Sequence, residues 1–319
     1  MPRIENFDPA AVRTPLQPLF PELITSFLRL SPNSRETAEK IVKARGIRFE
    51  LDASTNECLL QASAFHDGTV AFHQRFCVGL KVLERMWASV FGYYVLFKWT
   101  SDRFNTNLRK ENPPPAPLAL PYAIELLTWA FSYKHGSEML LWPPHLPSPS
   151  CPLADDKLMR AVNAASVRTA GFILLHELGH FDRGHLDSIG GSANPHDSEH
   201  EADDWASETA TDSIANQHCQ ANLCTIPFAL GFVAGISRRE SPSHPATADR
   251  LARFYRKHIC PKTKGNGSLF NTALFATTTP LQALLFLNGI QPERLKMFPD
   301  LEEFLDWWQA EMDRLAPSS

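Results

Sequence analysis

The chain has 319 residues, of which 44% are hydrophobic, and a formal net charge of −4 at pH 7. This length is sufficient for a large buried core in one large domain or two small ones, and the mild charge argues against a nucleic-acid partner. The first residues lack the apolar stretch of a signal peptide. The longest apolar runs, 86–97 and 225–236, are shorter than the roughly 20 residues that a membrane span needs. Six cysteines without C-x-x-C spacing favour reduced thiols, and together these features predict a cytoplasmic protein without a membrane partner.

Short elements separated by turn residues are predicted in the N-terminal third. Residues 1–45 form a proline-punctuated lead-in that includes a helix over 35–45, and Gly46 ends this helix. Three short, partly alternating runs then predict a small antiparallel sheet at about 46–76, with strands at 47–51, 58–62 and 69–73. Two helices are predicted after the sheet, over 77–99 and 122–133.

The most informative segment is the motif H-E-x-x-H at residues 176–180, in a helix predicted over 156–184. Positions i and i+4 share one face of a helix, so His176 and His180 can present two imidazoles to one metal ion. Glu177 lies beside them, where the general base for a metal-bound water is expected. The apolar residues before the motif predict a buried helix. Burial without partners would be costly for these side chains, and a metal ion would satisfy both imidazoles.

A second helix, predicted over 195–220, offers the third protein ligand that a catalytic zinc site needs. Helical periodicity places small residues on the face of Glu199, and these allow a close approach to Gly179 of the first helix. The face of Glu201 is more polar, and Glu201 also fits a capping box with Ser198. We therefore predict Glu199 as the third ligand, with Glu201 as the alternative.

Three other polar residues near the motif are predicted to have supporting roles. Asp203 follows Glu199 by one helical turn, where it can accept a hydrogen bond from a ligating histidine, although a surface carboxylate is the alternative. His185 and His200 are predicted not to bind the metal. His185 would lie about 180° round the helix, and Gly184 marks the helix end. His200 faces away from Glu199.

These residues resemble the gluzincin pattern, which is H-E-x-x-H followed by E-x-x-x-D. The sequence that follows Glu199 looks like that of the phage-exclusion (Lit-type) peptidases. Residues 243–251 are similar to the H-P-x-x-x-x-R-L segment of the CAAX prenyl proteases and heat-shock membrane metalloproteases. The resemblance implies a zinc metallopeptidase with Glu177 as base and Glu199 as ligand. Without a predicted membrane span, it favours a soluble, Lit-like enzyme.

Residues 243–251 add two candidates. The resemblance would bring His244 near the metal-bound water, where it would steady the oxyanion of the tetrahedral intermediate. A loop histidine before Pro245, the first residue of a helix, is an equal alternative. Arg250 is predicted to be a structural ion-pair partner.

The predicted reaction is metal-assisted hydrolysis of a protein or peptide substrate, with one Zn²⁺ per chain. Zinc held by His176, His180 and Glu199 would lower the pKa of its bound water. Glu177 would take the proton and pass it to the leaving amine. The strand around residues 58–64 is the predicted edge that pairs with an extended substrate.

The predicted fold is α+β and mostly α, with a zincin-like helical core and the small antiparallel sheet. The metallopeptidase domain would cover 46–319, and its C-terminal part, 224–315, would contain four helices. An ImmA/IrrE-type regulatory peptidase is an alternative, although that family usually has Asn where Asp203 stands. A non-catalytic zinc module is another, but a purely structural site would need a fourth protein ligand in place of Glu177. A latent peptidase that needs an activator also remains open.

Overall fold

A computed structural model describes the backbone of several segments of the chain. They are residues 14–52, 60–66, 72–104, 119–132, 141–150, 156–185, 194–212, 217–237, 245–290 and 298–315. Side chains are described in the same segments except at residues 24, 48–81, 104, 156, 234, 236–237 and 315.

The described chain is mainly helical. Its α-helices are α1 (Phe20–Thr25), α2 (Ser34–Arg45), α3 (Leu80–Phe104), α4 (Ala119–Phe131), α5 (Asp156–Asp182), α6 (Pro195–Ala210), α7 (Gln217–Ser237), α8 (Thr247–Phe254), α9 (Cys260–Lys262), α10 (Gly267–Leu287) and α11 (Leu301–Leu315). Turns of 3₁₀-helix at Gln17–Leu19 and Ser26–Arg29 flank α1, and a π-helical turn at Tyr255–Ile259 joins α8 to α9.

The predicted antiparallel sheet is wrong. The strands β1 (Arg48–Asp52), β2 (Leu60–His66) and β3 (Phe72–Gly79) form a mixed sheet in the order β1-β3-β2. β1 pairs in parallel with β3, and β2 pairs antiparallel with it. Alternating runs predict strands but not their order, and a strand next to a non-consecutive neighbour can run parallel to it. Where side chains are described, every regular element is helical.

Most predicted helices are confirmed, with shifted ends. α2 ends at Gly46, whose φ of 61° is left-handed, as the sequence predicts. The predicted helix over 195–220 is wrong, because α6 ends at Ala210 and α7 begins at Gln217. The predicted four helices over 224–315 correspond to α7, α8, α10 and α11, with the three-residue α9 in addition.

α5 is the central element of the core. It packs against α1, α2, α3, α6 and α7, and Leu175 and Leu178 are fully buried on it. Among the described helices, only the segment Lys157–Asp182 is long and apolar enough to cross a membrane. However, 67% of its most apolar 18-residue stretch is buried inside the protein. Such burial is expected of a core helix, and it places the H-E-x-x-H motif among packed helices.

Candidate metal centre

α5 and α6 approach each other closely at Gly179. A Cβ atom added there would lie 3.2 Å from the ring of Trp205 and 3.3 Å from the backbone of Ala202. Ala202 and Ala206 are fully buried, so small residues line the contact as predicted. The face of Glu201, which the sequence predicts to be more polar, also carries Trp205, and this side chain is buried, with only 7% of it exposed. This close contact brings Glu199 over the histidines of α5.

The three predicted metal ligands converge. Nε2 of His176 lies 3.2 Å from Nε2 of His180, and each of these nitrogens lies 3.4 Å from a different oxygen of Glu199. A tetrahedral zinc ion with bonds of about 2.0–2.1 Å separates two of its ligand atoms by about 3.3–3.4 Å. The ligand atoms of the three side chains lie within 4.8 Å of one another, a spacing that is compatible with one shared metal ion such as Zn²⁺.

The charges of this group are strongly coupled. Burial alone would lower the pKa of His176, but the carboxylates of Asp203 and Glu199 raise it to about 10. Burial would conversely raise the pKa of Glu199, but its interactions with the two imidazoles and with Arg250 hold that pKa far below its usual range. Without a metal ion, these interactions favour a protonated His176 and an ionised Glu199.

Asp203 and Arg250 form a buried ion pair behind His176. Oδ1 of Asp203 lies 2.9 Å from Nδ1 of His176. Nε and Nη2 of Arg250 each donate a hydrogen bond of 2.7 Å to this carboxylate, one to each oxygen. Burial would raise the pKa of Asp203, but the charges of Arg250 and His176 lower it to about 2. Arg250, which is 2% exposed, is thus the ion-pair partner that the sequence predicts. The carboxylate with which it pairs, that of Asp203, lies against the candidate ligand His176.

Glu177 is half-buried and shares the electrostatic environment of this pair. Burial would lower the pKa of Arg250, but Asp203 and Glu199 raise it. The negative charge of Glu177 also raises the pKa of Arg250. The predicted base therefore lies next to the candidate ligands in a site with buried positive charge.

Glu201 and His185 are placed together, away from the three convergent ligand atoms. Nε2 of His185 lies 3.1 Å from Oε2 of Glu201. The predicted capping box is wrong, because α6 begins at Pro195, three residues before Ser198, and its N-cap is Asn194. The contact between His185 and His180 is not predicted from the sequence, although a glycine at position 184 is a signal for the turn that creates it.

Of the remaining predicted residues, His200 lies in the described part of the chain and is not among the three convergent ligands. His200 is half-buried, and Nδ1 of its ring has no hydrogen-bond partner among the residues that the structure describes. His244 lies outside the described residues, as do residues 58 and 59 of the predicted substrate-binding edge.

Comparison with known families assigns the class of protein. The sequence matches a family of peptidases over residues 78–268, which is more than half of the chain and includes α5, α6 and α8. The chain belongs to this family, Peptidase U49. Protein or peptide substrates follow from this membership. No curated protein and no solved structure matches the chain.

Proposed function

We propose that the chain is a zinc-dependent endopeptidase in which His176, His180 and Glu199 hold one Zn²⁺. The convergence of their three ligand atoms on two tightly packed helices carries this proposal. Three protein ligands leave one coordination position open, as in catalytic zinc sites, whereas structural sites use four. Two imidazoles and one carboxylate are also a ligand set that suits zinc.

In this proposal, the residues around the zinc position have different roles in the hydrolysis. Zinc, when bound, polarises the scissile carbonyl and lowers the pKa of water. Glu177 accepts the proton of the attacking water and delivers it to the leaving amine. Asp203 orients His176, and Arg250 holds Asp203 in place. The oxyanion role of His244 stays a prediction from the sequence.

The substrate would bind along β2 as an extended segment. β3 occupies the middle of the described sheet, so the outer edge of β2 pairs with no described strand. β2 also packs next to α5, the helix that carries the H-E-x-x-H motif. Main-chain hydrogen bonds to such an edge bind peptides largely without regard to sequence. We therefore propose that β2 aligns the scissile bond with the site.

The decisive test compares wild type with Glu177→Gln. The variant is expected to bind one zinc per chain and to unfold at the same temperature, while cleavage falls at least about 100-fold because the proton acceptor is lost. Zinc content, thermal unfolding and proteome-wide cleavage mapping provide these measurements. Glu208→Gln, at an exposed position of α6, is the matched control and should cleave like wild type. Equal cleavage by Glu177→Gln and wild type would exclude the assigned base.

A further inference from the structure

The two candidate histidine ligands have different partners at their outer nitrogens, the Nδ1 atoms. Nδ1 of His176 faces the carboxylate of Asp203. Nδ1 of His180 instead lies 3.0 Å from Nδ1 of His185. Nε2 of His185 in turn lies 3.1 Å from Glu201. A continuous chain of polar contacts thus runs from His180 to the surface of α6.

The end of α5 builds the contact between His180 and His185. Gly184 has a left-handed φ of 73°. The amide of His185 donates to the carbonyl of His180, and the amide of Gly184 donates to that of Phe181. These two bonds define a Schellman motif, which folds the residue after the glycine back onto the last turn of the helix. That residue is His185, and its side chain is only 9% exposed.

The proton positions in this chain follow from the proposed function. If Nε2 of His180 binds zinc, its Nδ1 must carry the proton, because a neutral imidazole has only one. Nδ1 of His185 must then accept this hydrogen bond, so the proton of His185 is on Nε2. Glu201 can only accept when ionised, and its carboxylate lies where that Nε2–H points. Each nitrogen and oxygen in this series of hydrogen bonds is therefore either a donor or an acceptor, and every donor meets an acceptor.

We infer that His185 is a positioning residue for His180, with Glu201 fixing the tautomer of His185. This inference rests on the proposed zinc site. His185 holds the ring of His180 so that its Nε2 lone pair faces the two other ligands, the role that a carboxylate or carbonyl usually plays beside a metal-bound histidine. His185 acts through its contact with His180 and is not one of the three proposed ligands.

Zinc affinity tests this inference independently of catalysis. The metal-free protein is titrated with zinc against a chromophoric chelator. His185→Leu is expected to weaken zinc binding by about 10–100-fold, the usual cost of losing such a partner. His185→Asn retains an acceptor for the proton of His180 and should recover most of the loss. Glu201→Gln keeps an acceptor for His185 and should change the affinity by no more than about threefold, since this side chain is 59% exposed and its charge is screened.

A matched control removes another histidine that is paired with a glutamate. His145, which is 60% exposed, pairs with Glu125 at 2.6 Å and contacts none of the candidate ligands. His145→Leu should bind zinc like wild type. Equal zinc affinities for His185→Leu and His145→Leu would overturn the inference.

The tautomer of His185 gives a second test that needs no variant. ¹⁵N chemical shifts of histidine-labelled, zinc-loaded protein should show His185 protonated on Nε2 and His180 protonated on Nδ1. A proton on Nδ1 of His185 would overturn the inference even if a variant failed to fold. The proposed function fails separately, if wild type binds no zinc or if His176→Ala binds zinc as tightly as wild type.

Discussion

His176 and His180 are one turn apart on the same helix, yet their surroundings differ in burial and charge. Behind His176 lie Asp203 and Arg250, both almost completely buried. Behind His180 lie His185, which is mostly buried, and Glu201, which is 59% exposed. We call these the Asp203 arm and the His185 arm. Both give an outer nitrogen a partner, but only the Asp203 arm does so with fully desolvated charges.

This difference predicts that the two arms contribute differently to the stability of the fold and to metal binding. Removing one partner from a buried ion pair leaves an uncompensated charge in a low-dielectric environment, which strongly destabilises a fold. Water screens the charge of an exposed carboxylate, so its removal has little effect on the free energy of unfolding. Changes to the Asp203 arm should therefore affect both stability and metal binding, whereas changes to the His185 arm should mainly affect metal binding.

Arg250→Ala is expected to have the largest effect on stability. It leaves Asp203 buried without its bidentate partner, so we expect a loss of about 3–5 kcal/mol in the free energy of unfolding. Arg253→Ala is the matched control on the same helix. Arg253 pairs with Asp204 in a similar way but is 35% exposed at its side chain, so its loss should cost no more than about 1 kcal/mol. Urea unfolding of the metal-free proteins measures both, and similar losses would show that burial does not distinguish these pairs.

Comparing Glu199→Ala with Glu201→Ala distinguishes the effect of losing the proposed third ligand from the effect of losing the exposed carboxylate of the His185 arm. Loss of Glu199 removes a proposed ligand atom, so zinc affinity should fall by more than the factor of about 10–100 that loss of an outer partner costs. Loss of Glu201 should reduce the affinity less than tenfold, by about the contribution of one screened contact. Zinc content after dialysis, measured by atomic absorption, ranks the two variants. The opposite order would move the third ligand to Glu201.

The proton on His176 makes zinc binding depend on pH. Its pKa of about 10 in the folded, metal-free protein lies above the ordinary value of 6.5. The stability from this protonated group is thus fully present below pH 6.5 and is lost as pH rises through about 10. Zinc needs the unprotonated nitrogen, so binding at pH 8 should release close to one proton from His176, and affinity should rise with pH up to about 10.

Calorimetric titrations in buffers with different ionisation enthalpies count the released protons. Asp203→Asn removes the main charge that raises the pKa of His176. This variant should release clearly fewer protons at pH 8 than wild type. The same proton count for both proteins would mean that Asp203 does not control the protonation of His176.

The Asp203 arm could be predicted from the sequence more completely than the His185 arm. Helical periodicity alone put Glu199 and Asp203 on the face toward α5, because a regular helix fixes which side chains share a face. The same periodicity predicts that Asp203, one turn after Glu199, accepts a hydrogen bond from a histidine of α5. Its bidentate contact with Arg250 joins residues 47 positions apart, so only the tertiary structure shows it.

The His185 arm was missed because its residues follow a helix end. Extrapolating α5 beyond Gly184 placed His185 on the far side, whereas the left-handed glycine turns it back toward His180. The sheet was mispredicted for a similar reason, since β1 pairs with β3, which is not its sequence neighbour. Local patterns thus specified the elements, while glycine conformation and long-range pairing determined how they meet.

Gly179→Ala is expected to have the smallest effect, and it acts on both arms together because α6 carries Asp203 and Glu201. The added methyl group must displace Ala202 or Trp205 by a few tenths of an ångström. Overpacking of this kind costs about 1–3 kcal/mol, which the better helix propensity of alanine offsets by about 1 kcal/mol. We expect a small net loss of stability and weaker zinc binding, because Glu199 moves with α6. Gly267→Ala, where an added Cβ meets no atom within 4 Å, should change neither property. Unaltered zinc affinity in Gly179→Ala would show that the spacing of α5 and α6 does not set the ligand geometry.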